Sequence, residues 1–202
     1  MTSARPKATD EALILEAKAD PRAFSHIYDK YSRKIYNYFL YRTGFDKELS
    51  EDLTQETFVK AFTHLDSYKP RGFPYITYLL TIAHNDLVNS YRNSRTFSLE
   101  DSTDGENIPD EALDDAENRN DAEMLWKSIE SLPRNEKDIL LLRYRKELPI
   151  KDIAHIVRKS ENAVKLLVRK ILKKLKCNEQ LLEVVRFTDF SKPKKKANFI
   201  NP

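Results

Sequence analysis

LPIKDIAHIVRKSENAVKLLVRKILKKL, residues 148–175, is the stretch that decides the fold. Pro149 has the backbone angle of a first helical turn, and the spacing predicts a short helix over Pro149 to Val157. Ser160 can cap a second, longer helix reaching about Lys176, so two helices meet at a tight turn. That is a helix-turn-helix layout. On the second helix Lys165, Arg169 and Lys173 recur at helical spacing while Val164, Val168, Ile171 and Leu175 fall on the other side, giving one basic and one apolar face.

Upstream, Asn135 is the expected cap of a helix carrying Ile139 to Leu142, after a break at Leu132-Pro133 and a helix around Met124 to Ser131. Before that lies FSLEDSTDGENIPDEALDDAENRN, residues 97–120, which is acidic, poor in large apolar residues and broken by Gly105 and Pro109. It cannot bury much surface and reads as a flexible linker. In the N-terminal half, Asp20-Pro21 starts a helix along which Phe24, Ile27, Tyr31, Ile35 and Tyr38 recur at helical spacing. Ser50 is the expected cap of the next, with Leu53, Thr57, Ala61 and Leu65 along one face. Pro70 and Gly72 close that region, and a third helix over about Ile76 to Tyr91 buries Leu79, Leu80, Ala83, Leu87 and Val88. With 3 Gly and 9 Pro in 202 residues and no alternating pattern, the chain is expected to be all-α. It divides into two small helical domains, residues 10–95 and 122–186, joined by an acidic flexible linker over 96–121 and followed by a basic, disordered tail over 187–202.

Charge is distributed unevenly. Residues 1–95 hold 14 Lys/Arg and 12 Asp/Glu, residues 96–123 hold 1 and 11, and residues 124–202 hold 20 and 9. The basic C-terminal third suits a polyanion such as DNA, because its cations displace condensed counterions at phosphates. No apolar run is long enough for a membrane span, and the N-terminus has no signal-peptide core after Arg5 and Lys7, so the expected location is cytoplasmic and nucleoid-associated. Cys177 is the only cysteine, and His26, His64, His84 and His155 show no zinc-ligand spacing, so no metal or cofactor is expected. Without a Gly-rich phosphate loop, a paired-His metal motif or a nucleophile elbow, an enzyme is not expected either.

Three constellations remain. In a helix-turn-helix the second helix enters the major groove near its N-terminus, which places Ser160, Glu161, Asn162 and Lys165 at base edges or phosphates and Arg169 and Lys170 at the backbone. A solvated face on a helical hairpin would carry the same stripe, and periodicity does not separate the two. In EDLTQETFVKAF, residues 51–62, the side chains of Asp52, Gln55, Glu56, Val59 and Phe62 can share a flank distinct from Leu53, Thr57, Ala61 and Leu65. A polar flank with apolar spots suits a partner helix. RGFPYITYLLTIAHNDLVNSYRNSR, residues 71–95, mixes aromatic with basic residues, a combination that stacks unpaired bases and neutralises their phosphates. Tyr78 is the best stacking candidate, Tyr75 is expected to be partly core, and Tyr78 and Tyr91 are expected to be the more exposed pair.

These stretches together resemble bacterial RNA polymerase sigma factors of the small, extracytoplasmic-function (ECF) type in the sigma-70 family. Residues 132–144 and 148–175 are similar to region four, which in that family reads the minus-thirty-five promoter element as duplex. In this resemblance Ile153, Ala154 and Ile156 pack the first helix, and Ser160, Glu161, Val164 and Lys165 begin the recognition helix. Residues 51–62 look like the polymerase-docking helix, with Asp52, Gln55, Glu56 and Phe62 on the matching positions. Residues 71–95 resemble the element that melts and captures the minus-ten strand, which implies roles in DNA binding for Arg71, Phe73, Tyr75, Tyr78, His84, Asn85, Tyr91 and Arg92. Arg158 stands where the turn usually has Gly, Leu167 where the recognition helix often has Arg, Asn89 where an Asp is common, and Thr81 where many members carry a basic residue. The partners implied are core RNA polymerase, promoter DNA as duplex and as melted single strand, and an anti-sigma factor, with the free protein a monomer. A stand-alone helix-turn-helix regulator, argued against by residues 51–95, and a sigma-like protein that binds polymerase without reading promoters stay as alternatives.

Overall fold

The computed structural model describes residues 9–97 and 132–176, the side chains of 92–97 and 176 excepted. The described residues form helices without strands, and the chain divides into two compact units, with the division after Pro109. The expected linker and tail, and the helix expected around Met124 to Ser131, lie outside the described residues.

The first unit opens with α1, Asp10–Ala19, capped by Thr9 and followed by a 3-10 turn, Pro21–Ala23, that Asp20 caps. It runs straight into α2, Phe24–Leu40, and α3 (Lys47–Thr63) and α4 (Tyr75–Phe97) follow. As the spacing predicts, Phe24, Ile27, Tyr31, Ile35 and Tyr38 of α2 are buried. α2 packs against α1, α3 and α4, and α3 packs against α4. The core they share includes Ile35, Phe39, Ala61, Leu79, Leu80, Ala83 and Leu87, all fully buried. Val88, one residue beyond Leu87 and turned off that stripe, is exposed instead.

α3 begins earlier than expected because Asp46, not Ser50, is its cap: the Leu49 N–H donates to the Asp46 carboxylate at 2.9 Å. Ser50 sits inside the first turns, fully buried, its hydroxyl donating to the Asp46 carbonyl. Thr54 and Thr57 do the same to the carbonyls of Ser50 and Leu53 at 2.6 and 2.9 Å. With these hydroxyls satisfied inside the helix, the small polar residues can be buried beside Leu53 and Phe58 without an unpaired donor.

The second unit starts with α5, Arg134–Leu140, which Pro133 precedes. Asn135 is exposed within its first turn and caps nothing, a correction to the expected boundary. The helix continues into a π turn over Leu141–Arg145. The chain reverses through Glu147, whose φ is 54°, while the Arg143 guanidinium donates to the Leu148 carbonyl at 3.0 Å. α6, Ile150–Ile156, and α7, Glu161–Lys176, then form the helix-turn-helix. Ser160 caps α7 as expected, its hydroxyl accepting from the Ala163 N–H at 3.2 Å. Val164, Val168, Ile171 and Leu175 of α7 are buried with Ile153, Ala154 and Ile156 of α6. α5 also packs on α7, where the Lys174 ammonium donates to both oxygens of the buried Glu136 carboxylate at 2.7 and 2.8 Å.

Candidate protein-docking and nucleic-acid interfaces

Once Leu53, Thr57, Ala61 and Leu65 are committed to the core, helical geometry sends Asp52, Gln55, Glu56, Val59 and Phe62 to the surface, and all five are exposed. Val59 and Phe62, three residues apart on this flank, are 62% and 45% exposed and put two apolar groups side by side among the polar ones. The Phe62 ring leans edge-on against Phe24 at 5.1 Å, so it is held rather than free. Beside this flank runs a groove of about 800 Å³ between α3 and α4, lined in part by Asp52, Gln55, Glu56, Lys60, Asp86 and Asn89.

Lys60 and Asp86 of this groove were not singled out from the sequence. The Lys60 ammonium meets the Asp86 carboxylate at 2.6 Å and Glu56 at 3.6 Å, so one cation ties α3 to α4 behind the exposed acids. Only 6% of the Asp86 side chain is exposed, and its second oxygen is buried without a hydrogen bond. Burial pushes the Asp86 carboxyl above its ordinary value, against the opposing hydrogen bond and charge of Lys60; that hydrogen bond in turn raises Lys60. The Glu56–Lys60 spacing of four residues was the available signal. The partner on α4 had no local one.

The residues implied in minus-ten recognition do not converge on one place. Arg71 and Phe73 lie on the 69–74 loop, where Gly72 takes a φ of 72° that few other residues adopt, and Arg71 is exposed. Tyr78 is half-buried beside that loop, its ring 4.7 Å from Tyr68 and 5.4 Å from Tyr75. Tyr75 is only 2% exposed, in keeping with the core position expected of it, and its ring packs with those of Tyr31, Tyr68 and Tyr78, so it presents no open stacking face. Burial raises the phenols of Tyr68, Tyr75 and Tyr78, which stay neutral.

Farther along α4, His84 is half-buried with its Nδ1 at 3.5 Å from the Tyr38 hydroxyl, and Asn85 is half-buried. Tyr91 lies about 24 Å along the helix from Tyr75, at the helical rise per residue. Tyr91 is half-buried and its hydroxyl donates to the Arg42 carbonyl, so it is not a freely exposed ring. The Arg92 side chain lies outside those described.

On α7 the structure gathers what the sequence grouped. Ser160, Glu161, Asn162 and Lys165 at the helix N-terminus and Arg169 and Lys170 in its middle are all exposed, off the buried apolar stripe. Leu166, 64% exposed among these cations, was not singled out; an apolar group there suits a thymine methyl in a major groove. Leu167 is half-buried, and Arg158 in the preceding turn has a φ of 52°. Among the described residues, no cluster of His, Cys, Asp or Glu is arranged to hold a metal ion, and no helix is long and apolar enough to cross a membrane.

Comparison with known proteins places both units. Residues 27–96 match Sigma-70 region 2, and residues 122–175 match Sigma-70, region 4. The ECF RNA polymerase sigma factor BldN of Streptomyces coelicolor is 31% identical over 176 residues, covering 81% of this chain and 65% of BldN. The ECF RNA polymerase sigma factor SigM of Bacillus subtilis is 32% identical over 151 residues, covering 74% of this chain and 91% of SigM. The chain therefore spans just under two thirds of BldN and nearly all of SigM. The solved structure of CnrH in complex with the cytosolic domain of CnrY has a similar fold, with a TM-score of 0.61 at 19% identity over 86% of this chain and 97% of that one. On the two matched regions, in their order along the chain, and on the 32% identity to SigM over 91% of its length, the chain belongs to the sigma-70 family of RNA polymerase sigma factors, in its extracytoplasmic-function group.

Proposed function

We propose that this protein binds core RNA polymerase and directs promoter-specific initiation, with residues 10–95 docking polymerase and opening the minus-ten element and residues 122–186 binding the minus-thirty-five element as duplex. The observation that carries this reading is the exposed flank of Asp52, Gln55, Glu56 and Phe62 on α3, within the stretch matching Sigma-70 region 2. In the proposed mechanism α7 enters the major groove, phosphate contacts by Arg169 and Lys170 set its register, and Ser160, Glu161, Asn162 and Lys165 meet base edges. The 69–74 loop and Tyr78 trap bases that leave the stack, a step that needs compensation for lost stacking but no catalyst of its own. The protein is then a regulatory subunit, and the chemistry belongs to the polymerase. Cytoplasmic location, a monomeric free state and control by an anti-sigma factor are part of this reading.

The test is run-off transcription by purified protein with bacterial core polymerase on a randomised promoter library. Wild type should select a shared two-part element, Gln55→Ala should lose polymerase binding, and Tyr78→Ala should keep binding while losing strand opening. Failure of the wild type to bind core polymerase would sink the reading and leave a stand-alone DNA-binding protein. Binding without promoter selection would point to the sigma-like protein that no longer reads promoters.

A further inference from the structure

We propose that α1 is a clasp that fixes the shape of the 69–74 loop for strand capture, with Asp10 and Lys18 as its two positioning residues. The inference rests on the reading of that loop given above. α1 lies before residue 27, where the match to Sigma-70 region 2 begins, and none of its residues has a role assigned so far.

The geometry is that of two anchors on one helix. At its C-terminal end, the Lys18 ammonium donates to the carbonyls of Asp66 and Tyr68 at 3.0 and 2.8 Å. At its N-terminal end, the Asp10 carboxylate accepts from the Tyr75 backbone N–H at 3.2 Å, from Lys30 at 2.7 Å and from the Tyr31 hydroxyl. The loop 69–74 is what lies between these anchors. Each end is met by the charge it needs: carbonyls by an ammonium, an N–H by a carboxylate. Leu13, Ile14 and Ala17 are buried, so the helix that carries both charges is itself seated in the core.

The loop needs such external anchors. Pro70 and Pro74 have no N–H to donate, and Lys69, Pro70, Arg71, Gly72 and Pro74 are all exposed, with Phe73 alone half-buried, so contacts at the ends of the segment bear on its shape. Capture of an unstacked base by a loop of many shapes would first have to order it, and an already ordered loop binds more tightly without any new contact. The contacts of Lys18 with Asp66 and Tyr68 and of Asp10 with Tyr75 fall on the residues that flank the loop, apart from the buried apolar side of Leu13, Ile14 and Ala17. Charges at both ends of the loop are what positioning requires.

The experiment uses the full chain with core polymerase and a promoter taken from the library selection, and compares Lys18→Met, Asp10→Asn and the conservative Lys18→Arg. Amide exchange over residues 66–75 reads loop order in the free protein; permanganate reactivity of thymines reads strand opening; co-purification reads polymerase binding. Lys18→Met should speed exchange at 66–75 and weaken opening by about tenfold each, the scale of one charge-assisted hydrogen bond, with polymerase binding within about twofold. Asp10→Asn should act in the same direction, and Lys18→Arg should restore both. The clasp is overturned if exchange at 66–75 does not change, if exchange rises with opening unaffected, or if opening and polymerase binding fall together as in general unfolding. Wild type that opens no promoter overturns the capture reading itself, a failure seen without any variant.

Discussion

Arg158 holds a left-handed backbone, φ 52°, in the turn between α6 and α7, a conformation that costs an L-residue roughly 1–2 kcal/mol and glycine almost nothing. The turn still closes: the Lys159 N–H donates to the Ala154 carbonyl at 3.0 Å and the Val157 N–H to Ile153 at 2.9 Å. Arg158→Gly should therefore stabilise the second unit by about 1 kcal/mol, offset in part by the extra freedom of glycine in the unfolded chain. Native-state amide exchange at Ile153, Ile156 and Val164 would measure it; unchanged or faster exchange at these sites would contradict the strain argument. At this scale the sequence was informative where neighbouring residues narrowed a residue's use: Ser160 reads as a cap because a turn precedes it and the stripe of Val164, Val168 and Ile171 follows it, and Ile153 and Ile156 were placed in the core by the family resemblance. Tyr91 was not readable in this way: an aromatic ring at helical spacing serves core and surface alike, and the Arg42 carbonyl that holds Tyr91 is 49 residues away.

α3 and α4 are joined by an asymmetric pair, in which Lys60 is 42% exposed on its side chain and Asp86 only 6%. Removing the cation strands a buried carboxylate, whereas neutralising the carboxylate leaves a lysine that can still reach water. Lys60→Met should thus cost about 2 kcal/mol and Asp86→Asn about 1 kcal/mol or less, with Lys60→Met/Asp86→Leu recovering part of the loss. The pH dependence has a definite sign. Asp86 is raised above 3.8 in the folded protein, so the folded state binds that proton more tightly and the carboxyl's contribution weakens as pH rises through the raised value. Without Lys60 to oppose burial the rise is larger. Urea midpoints should accordingly fall with increasing pH above about 4 more steeply in Lys60→Met than in wild type. Parallel curves would show that Lys60 does not govern this carboxyl. Element faces were legible wherever a 3.6-residue period alone decided them, as on α3 and α7. Boundaries were less so. Asp46 displaced Ser50 because a serine that caps and a serine that bonds back to its own helix look alike in sequence. α1 escaped notice although Thr9, Asp10 and Glu11 form a good helix start, because Leu13, Ile14 and Ala17 make only a short apolar run.

For the whole molecule, two helical units and their order followed from composition breaks and helix periodicity, and the family followed from residue order; the contacts of Asp10 with Lys30, Lys18 with Tyr68 and Lys60 with Asp86 did not, since those partners lie 20 or more residues away. Charge acts at this largest scale as well. Residues 124–202 hold 20 Lys/Arg against 9 Asp/Glu, so duplex binding by this part should be driven largely by counterion release. Lys165, Arg169 and Lys170 are exposed on the one face of α7 opposite its core, and each that meets a phosphate adds about 0.9 to the slope of log affinity against log salt. Arg169→Ala and Lys170→Ala should each flatten that slope by about 1 while weakening all duplexes alike. Asn162→Ala should leave the slope unchanged and relax preference at one base position, because a base-edge contact carries sequence information and a phosphate contact does not. Titrations of one selected and one scrambled minus-thirty-five duplex across a salt series separate the two classes. If Arg169→Ala changes sequence preference without changing the slope, that arginine reads bases, and the register of α7 in the groove is rotated from the one proposed.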